Sequence, residues 1–84
     1  MTSIPTVELL GRDLCGLCDE AKEVVRQVAA SGQCKWELVD VDRDKDLLVR
    51  FGLDVPVIRI NGEVRFKHRV TAEGLQEALR EVSC

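Results

Sequence analysis

The sequence predicts an α/β fold whose elements follow the order β-α-β-α-β-β-α. Two observations carry this prediction: apolar or alternating runs are separated by stretches of helical periodicity, and Asn61-Gly62 joins two alternating runs late in the chain. The 84 residues are 45% hydrophobic and 32% charged, which fits one globular domain over residues 1–84. Such a small domain buries only about 60% of its unfolded surface, so modest stability is expected.

The first half of the chain predicts a strand-helix-strand unit. Val7–Leu10 is an apolar run that ends at Gly11, and Lys35–Val41 alternates as a second strand. Between them, apolar residues recur at helical spacing until Ser31-Gly32 closes the segment; they are Leu17, Ala21, Val24, Val25, Val28 and Ala29. A connection of this length implies that the two strands pair in parallel through a right-handed crossover.

The second half predicts a short helix, a hairpin and a last helix. Asp42 is the expected N-cap of the short helix, and Gly52 follows its last turn. Asn61-Gly62 is a two-residue turn between alternating strands, which are Pro56–Ile60 and Glu63–Lys67. Thr71 is the expected N-cap of the last helix. The predicted buried face of that helix consists of Leu75, Ala78, Leu79 and Val82.

Composition and charge argue against several classes of partner. Twelve Lys and Arg against fifteen Asp and Glu give a net charge of -3, and no basic run predicts a nucleic-acid surface. Met1–Thr6 lacks the basic and apolar pattern of a signal peptide. No apolar run approaches the about 18 residues that are needed to cross a bilayer. We therefore expect a cytoplasmic monomer with neither a nucleic-acid nor a membrane partner.

The segment Cys15-Gly16-Leu17-Cys18 lies where the first strand gives way to the first helix. Unpaired backbone N–H groups and the positive end of the helix dipole lower the pKa of a thiol there, and the thiolate is the nucleophile. Two intervening residues let the second sulfur reach the first after one helical turn. We interpret Cys15 as the attacking cysteine and Cys18 as the resolving cysteine.

Two other interpretations of this pair remain open from the residues alone. The pair is also compatible with half of a zinc site or with a structural disulfide, and the other soft ligands, Cys34, His68 and Cys84, are scattered along the chain. We expect Cys34 to be a partly buried residue at a strand edge and Cys84 to be a frayed terminal residue, neither with a redox role. His68 continues the alternation of the preceding strand and is expected to be a strand residue.

Four segments of the chain have a family resemblance. They are Cys15–Cys18, Val39–Asp42, Arg50–Leu53 and Val55–Ile58, the last followed by Asn61-Gly62. Together they resemble a small glutaredoxin-like family with a Cys-x-Leu-Cys active site, over about residues 7–79. The resemblance implies the thioredoxin-like fold: a four-stranded mixed sheet in the order 2-1-3-4 with helices on both faces.

The resemblance also implies where a substrate binds. Pro56 is expected to follow a cis peptide bond and to lie against the sulfurs, with the backbone of Val55 pairing with the substrate. Gly16 and Leu17 of the active-site segment are expected to contact the substrate as well. Arg12 matches a basic position of the family, and Arg69 offers a further positive charge.

The activity implied by the resemblance is that of a thiol-disulfide oxidoreductase, acting on small-molecule or protein disulfides in electron transport and cell redox homeostasis. Thioredoxin reductase or glutathione is the expected electron donor, with no permanently bound cofactor and no metal. Asp54 places a carboxylate where anionic glutathione would dock. The alternatives are a metal or iron-sulfur binding module, and a non-catalytic interaction domain with this fold.

Overall fold

The computed structural model describes residues 4–83, apart from the side chain of Ser83. The strands are β1 (Thr6–Gly11), β2 (Lys35–Asp40), β3 (Val57–Ile60) and β4 (Glu63–Lys67). The α-helices are α1 (Gly16–Ala30), α2 (Lys45–Phe51) and α3 (Ala72–Ser83), and a 3-10 turn at Val41–Arg43 precedes α2. This order confirms the predicted β-α-β-α-β-β-α sequence of elements. Within residues 4–83, no helix combines the length and the apolar character that crossing a membrane requires.

The strands form one mixed sheet in the order β2-β1-β3-β4, as predicted. β1 pairs in parallel with β2 as far as Gly11 opposite Asp40. On its other side β1 pairs antiparallel with β3 as far as Leu10 opposite Val57. β3 and β4 then form an antiparallel hairpin. The helix α1 is therefore the crossover that connects the two parallel strands, as its length indicated.

The helices cover both faces of this sheet. α1 and α3 pack on one face around the larger buried cluster, which contains Val7, Leu9, Ala21, Val25, Val28, Cys34, Ile58, Ile60, Leu75, Ala78 and Leu79. The 3-10 turn and α2 cover part of the other face around a smaller buried cluster, which contains Leu10, Val41, Phe51 and Val57. β1 lies inside the sheet and supplies buried side chains to both faces, so its near-continuous apolar run is explained.

The start of the short helix differs from the prediction. Asp42 does not cap α2; Asp44 does, and its Oδ1 accepts the N–H of Asp46 at 2.9 Å. The reason is that Asp40 first caps the 3-10 turn, with its Oδ1 accepting the N–H of Asp42 at 2.9 Å. The strand β2 consequently ends at Asp40 and not at Val41.

The remaining predicted helix ends are mostly confirmed. Gly52 follows the last residue of α2. The Oγ1 of Thr71 accepts the N–H of Gly74 at 3.0 Å, which is the contact expected of an N-cap. The buried face of α3 contains Leu75, Ala78 and Leu79. The prediction for Val82 is wrong: this side chain is 36% exposed, because the last turn of α3 extends beyond the core.

Candidate redox site

Cys15 and Cys18 form a disulfide at the beginning of α1, with their Cα atoms 5.2 Å apart. Cys15 is the N-cap residue of the helix, and its Sγ accepts the N–H of Cys18 at 3.1 Å. Cys15 is half-buried, whereas Cys18 is only 6% exposed. The cysteine that a substrate reaches more easily is therefore Cys15.

The end of β1 lies against the second cysteine. A Cβ atom added to Gly11 would lie 3.4 Å from the Sγ of Cys18. If the β1–β3 pairing is continued by one residue beyond its last pair, Gly11 stands opposite Pro56. The Val55–Pro56 peptide bond is cis, as predicted. The register thus brings Pro56 to the same end of the sheet as the disulfide.

The main chain of Val55 is free to pair with another molecule. Within residues 4–83, no hydrogen bond uses its N–H or C=O. The flanking groups are occupied: the N–H of Asp54 donates to the carbonyl of Phe51 at 2.8 Å, and the carbonyl of Pro56 accepts from His68 at 2.8 Å. A single residue with a free donor and a free acceptor can pair with an extended polypeptide.

A small charged cluster lies beside this peptide bond. The Oδ2 of Asp54 is 3.2 Å from the Nζ of Lys67, and its Oδ1 is 3.9 Å from the Nε2 of His68. The prediction that His68 is a strand residue is wrong, because β4 ends at Lys67 and His68 turns to a φ of 70°. That turn directs its N–H to the carbonyl of Pro56. Arg69 is exposed and has no ionic partner in the described part of the chain.

Arg12 is paired with a residue that the sequence did not connect to it. Its Nη2 lies 3.0 Å from the Oδ1 of Asp42, and its Nε donates to the Oδ2 of the same carboxylate at 3.2 Å. This two-pronged contact joins the loop after β1 to the 3-10 turn. The positive charge of Arg12 is therefore already balanced, and the structure does not show it acting on the sulfurs.

A cavity of about 430 Å³ lies next to the disulfide, between α1 and the edge strand β2. Cys18 forms part of its wall, and so do Leu14 and Leu38. Leu14 is fully exposed and has a φ of 58°, and Leu38 is 54% exposed. Because β2 and β3 flank β1 on opposite sides, this cavity and Val55 lie on opposite flanks of the site. Neither the cavity nor the exposure of its leucines was predicted from the sequence.

The two residues between the cysteines differ in their surroundings. Gly16 is exposed, and a Cβ atom added to it would have no atom within 4 Å. Leu17 is half-buried in the first turn of α1. Both are next to the cysteines in the sequence, whereas Val55 and Pro56 are brought to the site because β3, which follows them, pairs with β1. Their contacts with a substrate stay a prediction.

The other cysteines and possible metal ligands lie apart from this pair. Within residues 4–83, no group of three or more His, Cys, Asp and Glu side chains is arranged to hold a metal ion. Cys34 is 5% exposed and belongs to the larger buried cluster, so it is more deeply buried than predicted. That burial raises the pKa of its thiol. Cys84 lies outside the described residues.

Comparison with known proteins identifies relatives over most of the chain. A thioredoxin of Methanocaldococcus jannaschii is 33% identical over 78 residues, which are 89% of this chain and 92% of that protein. The crystal structure of a structural-genomics target protein from X. campestris is 32% identical and superposes with a TM-score of 0.75, covering 89% of this chain and 96% of the other. A mutant thioredoxin from Halobacterium salinarum shares the fold, with a TM-score of 0.73 at 20% identity, covering 98% of this chain and 77% of the other.

These similarities agree with the geometry of the site. The fold is thioredoxin-like, and a cysteine pair at disulfide distance on this fold supports a redox function in general. The family model of the glutaredoxin-like domain (DUF836) matches residues 6–80, which include the cysteine pair and the Val55–Pro56 bond. The chain therefore belongs to the glutaredoxin-like domain family.

Proposed function

We propose that this protein is a dithiol-disulfide oxidoreductase that reduces small-molecule or protein disulfides. The observation that carries the proposal is the position of the Cys15–Cys18 disulfide at the start of α1, with the more accessible cysteine as N-cap. After reduction, the N–H of Cys18 and the helix N-terminus would stabilise a negative charge on the Sγ of Cys15. The thiolate is the form that attacks disulfides.

The proposed reaction has two exchange steps. The Cys15 thiolate attacks one sulfur of the target disulfide, so that a mixed disulfide forms and the other target sulfur leaves as a thiolate. The Cys18 thiolate then attacks the Sγ of Cys15, which restores the Cys15–Cys18 bond and releases the second target thiolate. Both released thiolates take up protons from water. The target gains the two electrons that the cysteine pair loses.

Val55 and its neighbours support substrate binding in this scheme. The free N–H and C=O of Val55 offer main-chain pairing to an extended target segment beside the disulfide. Pro56, Gly16 and Leu17 would form the surface against which that segment packs. The proposal of these contacts is supported by the position of the residues around the sulfurs.

A two-electron donor must return the disulfide to the dithiol, and we propose thioredoxin reductase or glutathione. Arg69, which has no ionic partner within residues 4–83, could hold a carboxylate of glutathione. Asp54 opposes such an anion, although Lys67 balances part of its charge. In this role the protein would serve electron transport and redox homeostasis in the cytoplasm, acting as a monomer.

The test is a disulfide reduction assay run in parallel with glutathione plus its reductase and with thioredoxin reductase. We expect Cys15→Ser to lower turnover by at least about 100-fold with either donor, because it removes the nucleophile. Cys18→Ser should lose the thioredoxin-reductase route, and Cys34→Ala, which removes a cysteine outside the site, should retain both routes. Turnover that survives the loss of Cys15 would contradict the mechanism. If Cys18→Ser retains turnover with glutathione but not with thioredoxin reductase, while Cys15→Ser has none, the protein uses a monothiol route.

A further inference from the structure

We propose that the cavity beside Cys18 is a docking groove for an extended, basic segment of a protein partner, next to the disulfide of that partner. The docking groove is formed by Asp13, Leu14, Asp19 and Leu38 together with Cys18. It lies on the flank of β1 opposite Val55, so it adds a second contact surface to the same site. The inference rests on the proposed function and specifies the kind of substrate.

Exposed apolar side chains border the docking groove. Leu14 is fully exposed and Leu38 is 54% exposed, and both line the same space of about 430 Å³. A large apolar side chain of the partner placed between them would remove all three from water. Cys18, which is bonded to Cys15, lines the same space, so a segment seated there lies beside the disulfide.

The backbone of β2 favours an extended occupant. β2 is an edge strand of the described sheet, and the N–H of Lys35 donates to the carbonyl of Pro5 at 2.9 Å, toward β1. Since successive residues of a strand direct their N–H and C=O groups to alternate sides, those of Leu38 point away from β1. An extended segment can pair with these groups by adding a strand to the sheet.

The charges of the docking groove favour a basic occupant. Asp13 and Asp19 have no ionic partner within residues 4–83, and Lys22 is the one base of this wall that is likewise unpaired. Arg43 and Asp40 of the wall pair with each other, and Arg12 is neutralised by Asp42, which is not a wall residue. Two free carboxylates against one free amine leave a local excess of negative charge.

A second copy of this chain is a poorer fit to the docking groove. The chain carries a net charge of -3, so a second copy would bring charge of the same sign to the surface. A protein partner with Lys or Arg beside an apolar residue satisfies both the apolar and the charged parts of the groove. The oligomeric state in solution distinguishes these two occupants.

The test uses a Cys18→Ser background, in which Cys15 can hold a peptide as a mixed disulfide without being resolved. Short peptides with a single Cys, each supplied as a disulfide with a small thiol, compete in pairs for Cys15: its thiolate attacks the peptide sulfur, the small thiol leaves, and mass spectrometry gives the ratio of the two mixed disulfides at equilibrium. One peptide carries Leu and Arg near its Cys; the other has Gly in place of Leu, or Glu in place of Arg. We expect a preference of about tenfold for the Leu and Arg peptide, from one apolar contact and one ion pair.

Substitutions test the apolar part and the acidic part of the docking groove one at a time. Leu38→Asp should reduce the preference for Leu to about unity, and the double variant Asp13→Asn, Asp19→Asn should remove the preference for Arg while the preference for Leu remains. Val49→Asp is the matched control, because Val49 is 86% exposed on α2 and lies outside the groove. It should leave both preferences unchanged. All these side chains are exposed, so the variants are expected to fold, which circular dichroism checks.

Each contrary result has a distinct meaning. Equal occupancy by all peptides, with mixed disulfides present, would overturn the docking groove and leave the proposed function intact. A failure of every peptide to form a mixed disulfide with Cys15 would instead refute the proposed function. If light scattering shows a dimer that Leu38→Asp converts to a monomer, the surface is an interface between two copies of this chain and the inference is wrong.

Discussion

The two flanks of the Cys15–Cys18 disulfide present different chemical groups to a substrate. On the flank toward β3, Val55 offers main-chain groups, and the carboxylate of Asp54 is already paired with Lys67. On the flank toward β2, Leu38 is 54% exposed, and the carboxylates of Asp13 and Asp19 have no ionic partner within residues 4–83. The first flank can recognise any extended chain, whereas the second can select among side chains.

The flanks also differ in how the core supports them. Val55 packs against the smaller buried cluster, in which Phe51 is 6% exposed and Val57 is fully buried. The strand β2, in contrast, contains no buried side chain along Lys35–Asp40. A change on the β2 flank should therefore alter binding at little cost in stability, while a change beneath Val55 should disturb the fold. This division allows specificity to vary without loss of the reactive geometry.

The largest effect that separates the flanks should be on stability. Phe51→Ala removes a buried ring and is expected to lower the free energy of unfolding by about 3–4 kcal/mol. Leu38→Ala, on the other flank, should cost less than about 1 kcal/mol, since its side chain is already half in water. Urea denaturation of the oxidised protein, followed by circular dichroism, measures both values. Similar losses for the two variants would show that both flanks depend on the core equally.

The order of the elements and the reactive pair could be predicted because they follow from local patterns, whereas the strand order was predicted from the family resemblance. The Asn61-Gly62 turn and the alternating runs beside it determine the hairpin, and the length of α1 requires a parallel crossover. The position of Cys15 near the start of the helix is visible in the sequence, because the apolar periodicity begins two residues later, at Leu17. Each of these features depends on residues that are close together in the chain.

The features that were not predicted depend on contacts between distant residues, or on a choice between several residues that suit the same role equally well. Asp40, Asp42 and Asp44 are all good N-caps, and only the path of the 3-10 turn decides which one caps α2. The pairing of Arg12 with Asp42 joins positions 30 residues apart. The cavity exists because α1 and an edge strand leave space between them, and no periodicity reports that distance.

A smaller effect concerns the charge on the Val55 flank. Asp54→Asn removes a carboxylate and leaves Lys67 without its partner, so an anionic substrate should be favoured there. We expect kcat/KM in the glutathione-linked assay to rise by about threefold, the size of a surface charge interaction, and the gain to shrink at high salt. Glu81→Gln is the control, because it breaks the Arg65–Glu81 pair elsewhere on the surface. An equal gain in both variants would mean that total charge, rather than this flank, is responsible.

The smallest expected effect is a pH-dependent loss of stability, which tests whether the residue preceding β2 is buried in the core. The buried residue that directly precedes β2 is Cys34, and burial raises the pKa of its thiol above the ordinary value of 9.0. Well below pH 9.0 both the folded and the unfolded thiol are neutral, so the ionisation of Cys34 does not alter the free energy of unfolding. As the pH rises above 9.0, the unfolded thiol ionises first, so the free energy of unfolding should fall until the folded thiol also ionises.

Urea denaturation between pH 7 and pH 10 or so measures this loss in the oxidised protein, where the active-site pair does not titrate. A Cys84→Ser background removes the remaining cysteine outside the active-site pair, and Cys34→Ala is compared with its parent in that background. The variant should be less stable at every pH, because it leaves space in the core, but its stability should decline less steeply above pH 9.0. Parallel declines would show that Cys34 ionises as readily in the folded protein as in the unfolded chain. Cys34, which precedes β2, would then be accessible to solvent, and this end of β2 would not be held to the core by that side chain.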